Sequence, residues 1–368
     1  MKNSILMAAF LLFMLAGQAQ LTYKGLPVIT TKAMQADYRV DTEWTRGRWG
    51  IAPEASPDVL LVPCFSRTVH FSFHTDSDSI GFPISGGQSK QFYVRTPDGQ
   101  YALTEIKGFN YEPIAFNTEL RKPAYRFWYE SGRNEYLEKF RSMYPVEALV
   151  SGLNADSAKA LRILHWVHRQ WKHNGNNEPR KKDAISILEE VKEGKNFRCV
   201  EYGIVASTAL NAIGLPARVL ALKTKDVETT ASGAGHVLLE VYLKDLKKWV
   251  LMDGQFDVMP VLDGVPLNAI EFQQAIAGNF DRLQLRSLSG MDKGAYVKWV
   301  YPYLYYFDVP FDNREGAELK KETHQGKPVL MLVPKDAKNP TIFQQKWPIS
   351  NAVYTNAVVD FYGAPQEK

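Results

Sequence analysis

Residues 197–220 read FRCVEYGIVASTALNAIGLPARVL, a helix of small residues that begins on a cysteine and stops at a glycine. Gly203, Ala206, Ser207 and Ala209 give it little bulk, as expected of a helix wedged against other elements. Gly214 suits a left-handed C-cap, Pro216 forbids continuation, and ARVLAL then starts a strand. A cysteine at the head of a helix faces unsatisfied backbone N–H groups and the positive end of the helix dipole. Both favour sulfur in its nucleophilic, ionised form. Arg198 adds positive charge beside it. Cys199 is therefore a candidate nucleophile, provided that a base and an orienting acid reach it.

Downstream, TTASGAGHVLLEVYLKDLKKWVLMDGQFDV is a Gly/Ser stretch feeding two strands joined by a polar turn. His236 begins the first strand and Asp253 ends the second. Side chains alternate along strands, so His236, Leu238, Glu240 and Tyr242 share one face, as do Trp249, Leu251 and Asp253. A two-residue turn at Lys244–Asp245 sets His236 opposite Asp253, whereas a turn at Leu246–Lys247 sets it opposite Asp257. Asp257 is thus a rival for the orienting acid.

These stretches, together with the Gly-Leu-Pro-Ala-Arg turn at 214–218, resemble the core of the transglutaminase-like superfamily over roughly residues 150–275. The resemblance implies a papain-like α+β fold with a helix-borne Cys, then His and Asp on adjacent strands. It implies Cys199 as nucleophile, His236 as base and Asp253 as its orienter. Leu238 stands where an aromatic often follows the family's histidine, and Arg198 stands where a small or amide residue commonly precedes the cysteine. The second departure leaves the oxyanion partner open among Gln170, Asn174, Asn176, Asn177 and Asn196. The implied activity is cleavage of peptide or protein amides through a thioester, with hydrolysis ahead of cross-linking. The alternative from another class is a binding or scaffold protein that recognises peptide or glycan on the same core without turnover.

Working outward, residues 40–135 alternate apolar and polar positions, and Asp98–Gly99 marks a hairpin, which predicts a β-sandwich. The period changes after Pro145. ADSAKALRILHWVHRQW places Leu161, Leu164, His168 and Trp171 on one helical face, and DAISILEEVKEG runs from an Asp cap to Gly194. YVKWVYPYLYYFDVPFD and PVLMLVP read as further strands, with the aromatics as core or as a groove for sugars or peptides. The order β region, helices, strands predicts an α+β chain with a domain over 145–368 that carries a C-terminal β extension.

Composition sets the remaining limits. The 368 residues carry a net charge of +4, too mild to imply nucleic acid or an anionic membrane surface. The opening MKNSILMAAFLLFMLAGQAQ has an apolar run from Ile5 to Leu15, short of the roughly 20 residues a membrane span needs. Gly17 and Ala19 sit at signal-peptidase spacing, so residues 1–19 read as a signal peptide and the protein as exported, periplasmic or secreted. A resemblance to exported proteins of Bacteroidetes-type bacteria points the same way, with peptides, proteins or cell-wall peptides as substrates. Only Cys64 and Cys199 could form a disulfide, and Cys64 lies in the β region. His165 and His168 are one turn apart, but no carboxylate joins them at zinc-site spacing. No metal or cofactor is expected.

Overall fold

The computed structural model describes residues 21–53, 58–130, 134–316 and 320–365. The expected signal peptide, residues 1–19, lies outside them. No helix among the described residues is long and apolar enough to cross a membrane. The chain divides into two compact units, one through Tyr111 and one from Glu112.

The first unit holds a five-stranded and a four-stranded sheet. Alternation explains the pairing: Phe92 and Val94 from one sheet, and Phe71, Phe73 and Ile84 from the other, meet in one core that also buries Cys64. Asp98–Gly99 makes the expected turn, with Gly99 at φ 82° and strands Ser89–Arg95 and Tyr101–Phe109 paired on either side. Strands begin at Thr22, earlier than residue 40. The unit also ends before residue 135, because the stretch from 112 to 130 bonds within the second unit. There Ile114 N–H donates to Gln273, and Asn117 and Trp128 bridge to Ala357 and Asp312.

The second unit is built on a six-stranded sheet. Its order is Lys248–Met252, Gly235–Leu243, Ala217–Lys223, Tyr306–Pro310, Val329–Leu332, Ala352–Thr355, antiparallel except for the last pair. The helix Cys199–Ala212 lies buried between this sheet and helices Glu135–Met143, Asp156–His168 and Ala184–Lys192. Asp183 caps the last of these by accepting from Ser186 N–H. On Asp156–His168 the buried stripe is Ala160, Ile163, Leu164 and Val167. Leu161 and His168 flank it half-buried, one position round from the expected face.

The central helix ends as its sequence requires. Gly214 takes φ 81°, its N–H bonds Asn211 O, and Leu215 N–H reaches back to Leu210 O. Its small residues serve the approach to the sheet. A Cβ added at Gly203 would stand 2.9 Å from the backbone oxygen of Leu238, two residues beyond His236. Gly203→Ala is therefore expected to push helix and strand apart and to cost about 1–3 kcal/mol, despite alanine's better helix propensity. Urea midpoints of the two proteins check this, and an unchanged or raised midpoint would contradict the tight contact.

The segment from 293 to 303 differs from the strand reading. Asp292 accepts from Ala295 N–H and caps a helix over Lys293–Val300, which runs into a 3-10 turn at Tyr301–Tyr303 before the strand Tyr306–Pro310. Strand-favouring Tyr, Val and Trp are outweighed here by the cap and by aromatic spacing at 296, 299 and 303, which is helical.

Candidate active site

Cys199 is the first residue of the central helix and is half-buried. Both cysteines are free thiols. Arg198, the residue before the helix, does not lend its charge to the sulfur. Its guanidinium pairs with the buried Glu201 at 2.8 Å and with Glu178, and Glu201 also accepts the Arg198 backbone N–H at 3.1 Å. The arginine is thus part of the helix start, and the expectation that it charges the thiol is corrected.

His236 stands at the second position of the strand Gly235–Leu243 and is 2% exposed. Its Nε2–H donates to Asp253 Oδ2 at 2.8 Å, and the Cys199 side chain lies near enough to act on the ring. With Nε2 engaged, Nδ1 is the nitrogen left to exchange a proton with sulfur. The hairpin register lies between the two turns considered. Leu243 pairs with Lys248 and Leu239 with Met252, so the turn has four residues and Asp253 falls diagonal to His236 on the same face.

Asp253 is buried and receives four donors. Oδ2 takes His236 and the Tyr296 hydroxyl at 2.9 Å, and Oδ1 takes the backbone N–H groups of Gln255 at 2.9 Å and Phe256 at 3.3 Å. All of its lone-pair directions are used, which fixes it in place. Asp257 goes elsewhere: its Oδ2 meets His165 Nδ1 at 2.8 Å and Ser289 N–H at 2.8 Å. His168 turns Nδ1 to the carbonyls of Gly254 and Gln255, so His165 and His168 serve separate partners.

Burial works against a charged His236, but the Asp253 charge and hydrogen bond, with Cys199 nearby, outweigh it and raise its pKa to about 9. A histidine pKa above the unfolded value of 6.5 contributes stability fully below pH 6.5, and that contribution is lost as pH rises through 9. Unfolding free energy should therefore fall by on the order of 3 kcal/mol between pH 6.5 and 9.5. His236→Gln should flatten the curve over that window. A wild-type curve equally flat would rule out the charged pair.

Aromatic side chains wall the site. Trp299 meets the His236 ring edge-on at 4.7 Å, Tyr303 lies 5.9 Å away, and Phe256 packs on Trp299 at 4.5 Å. Burial, with the nearby Asp253 charge, keeps the Tyr296 phenol protonated as a donor well above its usual range. None of these four was named individually from sequence, although Tyr296, Trp299 and Tyr303 lie in the aromatic run read there as core or groove, and their spacing was the available signal.

The opposite side is a strap, residues 169–177, running past the start of the central helix. Lys172 N–H bonds Asn196 Oδ1 at 3.0 Å, Asn174 N–H bonds Phe197 O at 2.8 Å, and the Tyr202 hydroxyl donates to Trp171 O at 2.7 Å. The strap, Asn196, Tyr202 and Gln255 line a cavity of about 610 Å³. Of the five amides considered for the oxyanion, only Gln170 and Asn196 reach it, and Gln170 already donates to Trp166 O.

Residues 146–254 match the family model described as the transglutaminase-like superfamily, a span that holds Cys199, His236 and Asp253. Among solved structures the chain is similar to a candidate cysteine protease of Cytophaga hutchinsonii, at 12% identity and a TM-score of 0.28, over 43% of this chain and 49% of that one. It is similar to calcium-bound LapG of Legionella pneumophila, at 11% identity and a TM-score of 0.25, over 45% and 96%. A third is a candidate protease of Parabacteroides distasonis ATCC 8503, at 12% identity and a TM-score of 0.24, over 59% and 56%. The chain thus spans about half the length of the first of these. No curated protein matches it.

Proposed function

We propose that the transglutaminase-like domain at residues 146–254 is a cysteine enzyme that cleaves amide bonds of peptides or proteins through a thioester on Cys199. What carries this reading is the half-buried Cys199 thiol beside the buried His236 ring, which is hydrogen-bonded in turn to the immobilised Asp253. The ionised sulfur attacks the amide carbonyl carbon, a C–S bond forms, and the carbonyl oxygen takes up the negative charge. The Cys199 backbone N–H and the Asn196 amide are the donors offered to that oxygen. Collapse breaks the C–N bond, and the amine leaves with the proton held on Nδ1 of His236. The now neutral imidazole takes a proton from water as it attacks the thioester, freeing a carboxylic acid and the thiol.

An amine in place of water would give cross-linking instead. Water is abundant in the exported compartment that we assign from the first 19 residues, so hydrolysis is the outcome favoured; a mature chain starting at Gln20, read by N-terminal sequencing, is expected there. Peptide and cell-wall libraries incubated with wild type and with Cys199→Ala test the chemistry. New carboxyl and amino ends should arise with wild type alone. Amine-dependent ligation would make the protein a transferase, and identical product profiles would end the reading.

A further inference from the structure

We infer that the groove between the 169–173 strap and the 254–255 turn selects peptides bearing acidic side chains next to the amide that Cys199 attacks. The inference rests on the amide-cleaving reading for its site, though not for its test.

The cavity is lined by neighbours of the reacting groups, not by Cys199, His236 or Asp253 themselves. Tyr202 lies one turn along the helix from Cys199, Gln255 is held by its backbone to Asp253, and the charge of His236 acts on His173 at the cavity wall. Its lining includes Arg169, Lys172, His168 and His173 and no carboxylate. The carboxylates nearby are already matched: Glu178 and Glu201 to Arg198, Asp253 to His236, Asp257 to His165. Arg169 and Lys172 are exposed and, among the described residues, enter no ion pair. Two permanent cations therefore stand over a groove with nothing to neutralise them but solvent or a ligand. Burial and the neighbouring His236 hold the His173 pKa below its ordinary value, so the permanent charge here is that of Arg169 and Lys172.

The backbone that carries Lys172 is also fixed. Lys172 and Asn174 are pinned through their backbone to Asn196 and Phe197, and Asn177 Nδ2 bonds Asn196 O at 2.8 Å. The charges sit on a backbone tied directly to the segment that leads into Cys199. A peptide stretched across the sulfur and into this cavity would lay its neighbouring side chains under Arg169 and Lys172, where Glu or Asp gains attraction and Lys or Arg meets repulsion.

The test separates binding from turnover. A fluorescein-labelled hexapeptide with two Glu, and the same peptide with two Gln, are titrated into the full-length Cys199→Ala protein at low salt, with anisotropy as readout. The Glu peptide should bind about tenfold tighter, the scale of two solvent-screened charges. Arg169→Ala/Lys172→Ala in the same background should erase the difference, and so should raised ionic strength. Lys139→Ala, an exposed lysine on another helix, should leave it unchanged and so excludes a mere net-charge effect. Equal binding of the two peptides, binding of neither, or a preference that survives the double substitution would each overturn the inference. Iodoacetamide labelling of the wild-type thiol, measured separately, reports on the nucleophile. Slow labelling with intact Glu preference would sink the enzyme reading and leave the groove standing.

Discussion

Asp253→Asn is expected to lower amide turnover by about 10⁴, the scale known for the orienting acid of serine triads, while the protein still folds and keeps its thiol. The hydrogen bonds dictate the direction of failure. Backbone N–H groups of Gln255 and Phe256 both donate to Oδ1, so an asparagine must keep its oxygen there. Its NH₂ is then forced toward His236 Nε2 and the Tyr296 hydroxyl. Nε2 can answer only as an acceptor, which moves the ring proton to Nδ1 and points it at Cys199. The imidazole can then no longer take the thiol proton. Asp257→Asn touches His165 and Ser289 instead, and should change turnover by less than about tenfold, under 1.4 kcal/mol. Turnover and thiol-alkylation rates of both variants check this. A larger loss at Asp257 than at Asp253 would reverse the assignment of the acid.

The contest between those two aspartates marks how far the sequence could be read. Period-2 alternation is local, so it correctly put His236 and Asp253 on one face. Register depends on the turn, and the turn Lys244–Lys247 carries no Asn-Gly or Gly signal. Its length is set from far away: Asp156 Oδ2 accepts the N–H groups of Lys244 and Asp245, and Asp245 Oδ2 accepts the Asp156 N–H. No window around the hairpin contains that information. The start and stop of the central helix were legible for the opposite reason, since Gly214, Pro216 and the small residues act within a few positions. The aromatic wall was misread because Tyr, Val and Trp suit a strand, and only the capping Asp292 and the spacing of three rings favoured a helix. The role of Arg198 was misread because the charge of a side chain is visible in a sequence and its partner is not.

Arg218, the last residue of the Gly-Leu-Pro-Ala-Arg turn, should prove among the costliest side chains in the second unit to remove. It is 1% exposed and stands directly across the sheet from Glu240, which is fully buried. Its Nη2 and Nε donate to Glu240 Oε2 at 2.6 and 3.1 Å, its Nη1 donates to Phe361 O at 2.8 Å, and its guanidinium lies 4.3 Å from the Trp249 ring. Glu240 Oε1 in turn accepts the Tyr362 hydroxyl at 2.7 Å and the Ala269 N–H at 3.3 Å. One ion pair therefore joins three strands, a helix start and the last helix. Arg218→Met fills much of the volume but leaves Glu240 as an uncompensated buried charge, which should cost about 3–5 kcal/mol. The damage should reach the site, because Glu240 and His236 lie on the same face of one strand, four residues apart. Adding Glu240→Gln to Arg218→Met removes the stranded charge and keeps an acceptor for Tyr362 and Ala269, so the double variant should be more stable than Arg218→Met alone, by at least 1 kcal/mol on the scale of coupled neighbours. Denaturant midpoints of the two single variants and the double give the coupling. If Arg218→Met costs under about 1 kcal/mol, or the second change deepens the loss, the penalty does not come from a stranded charge.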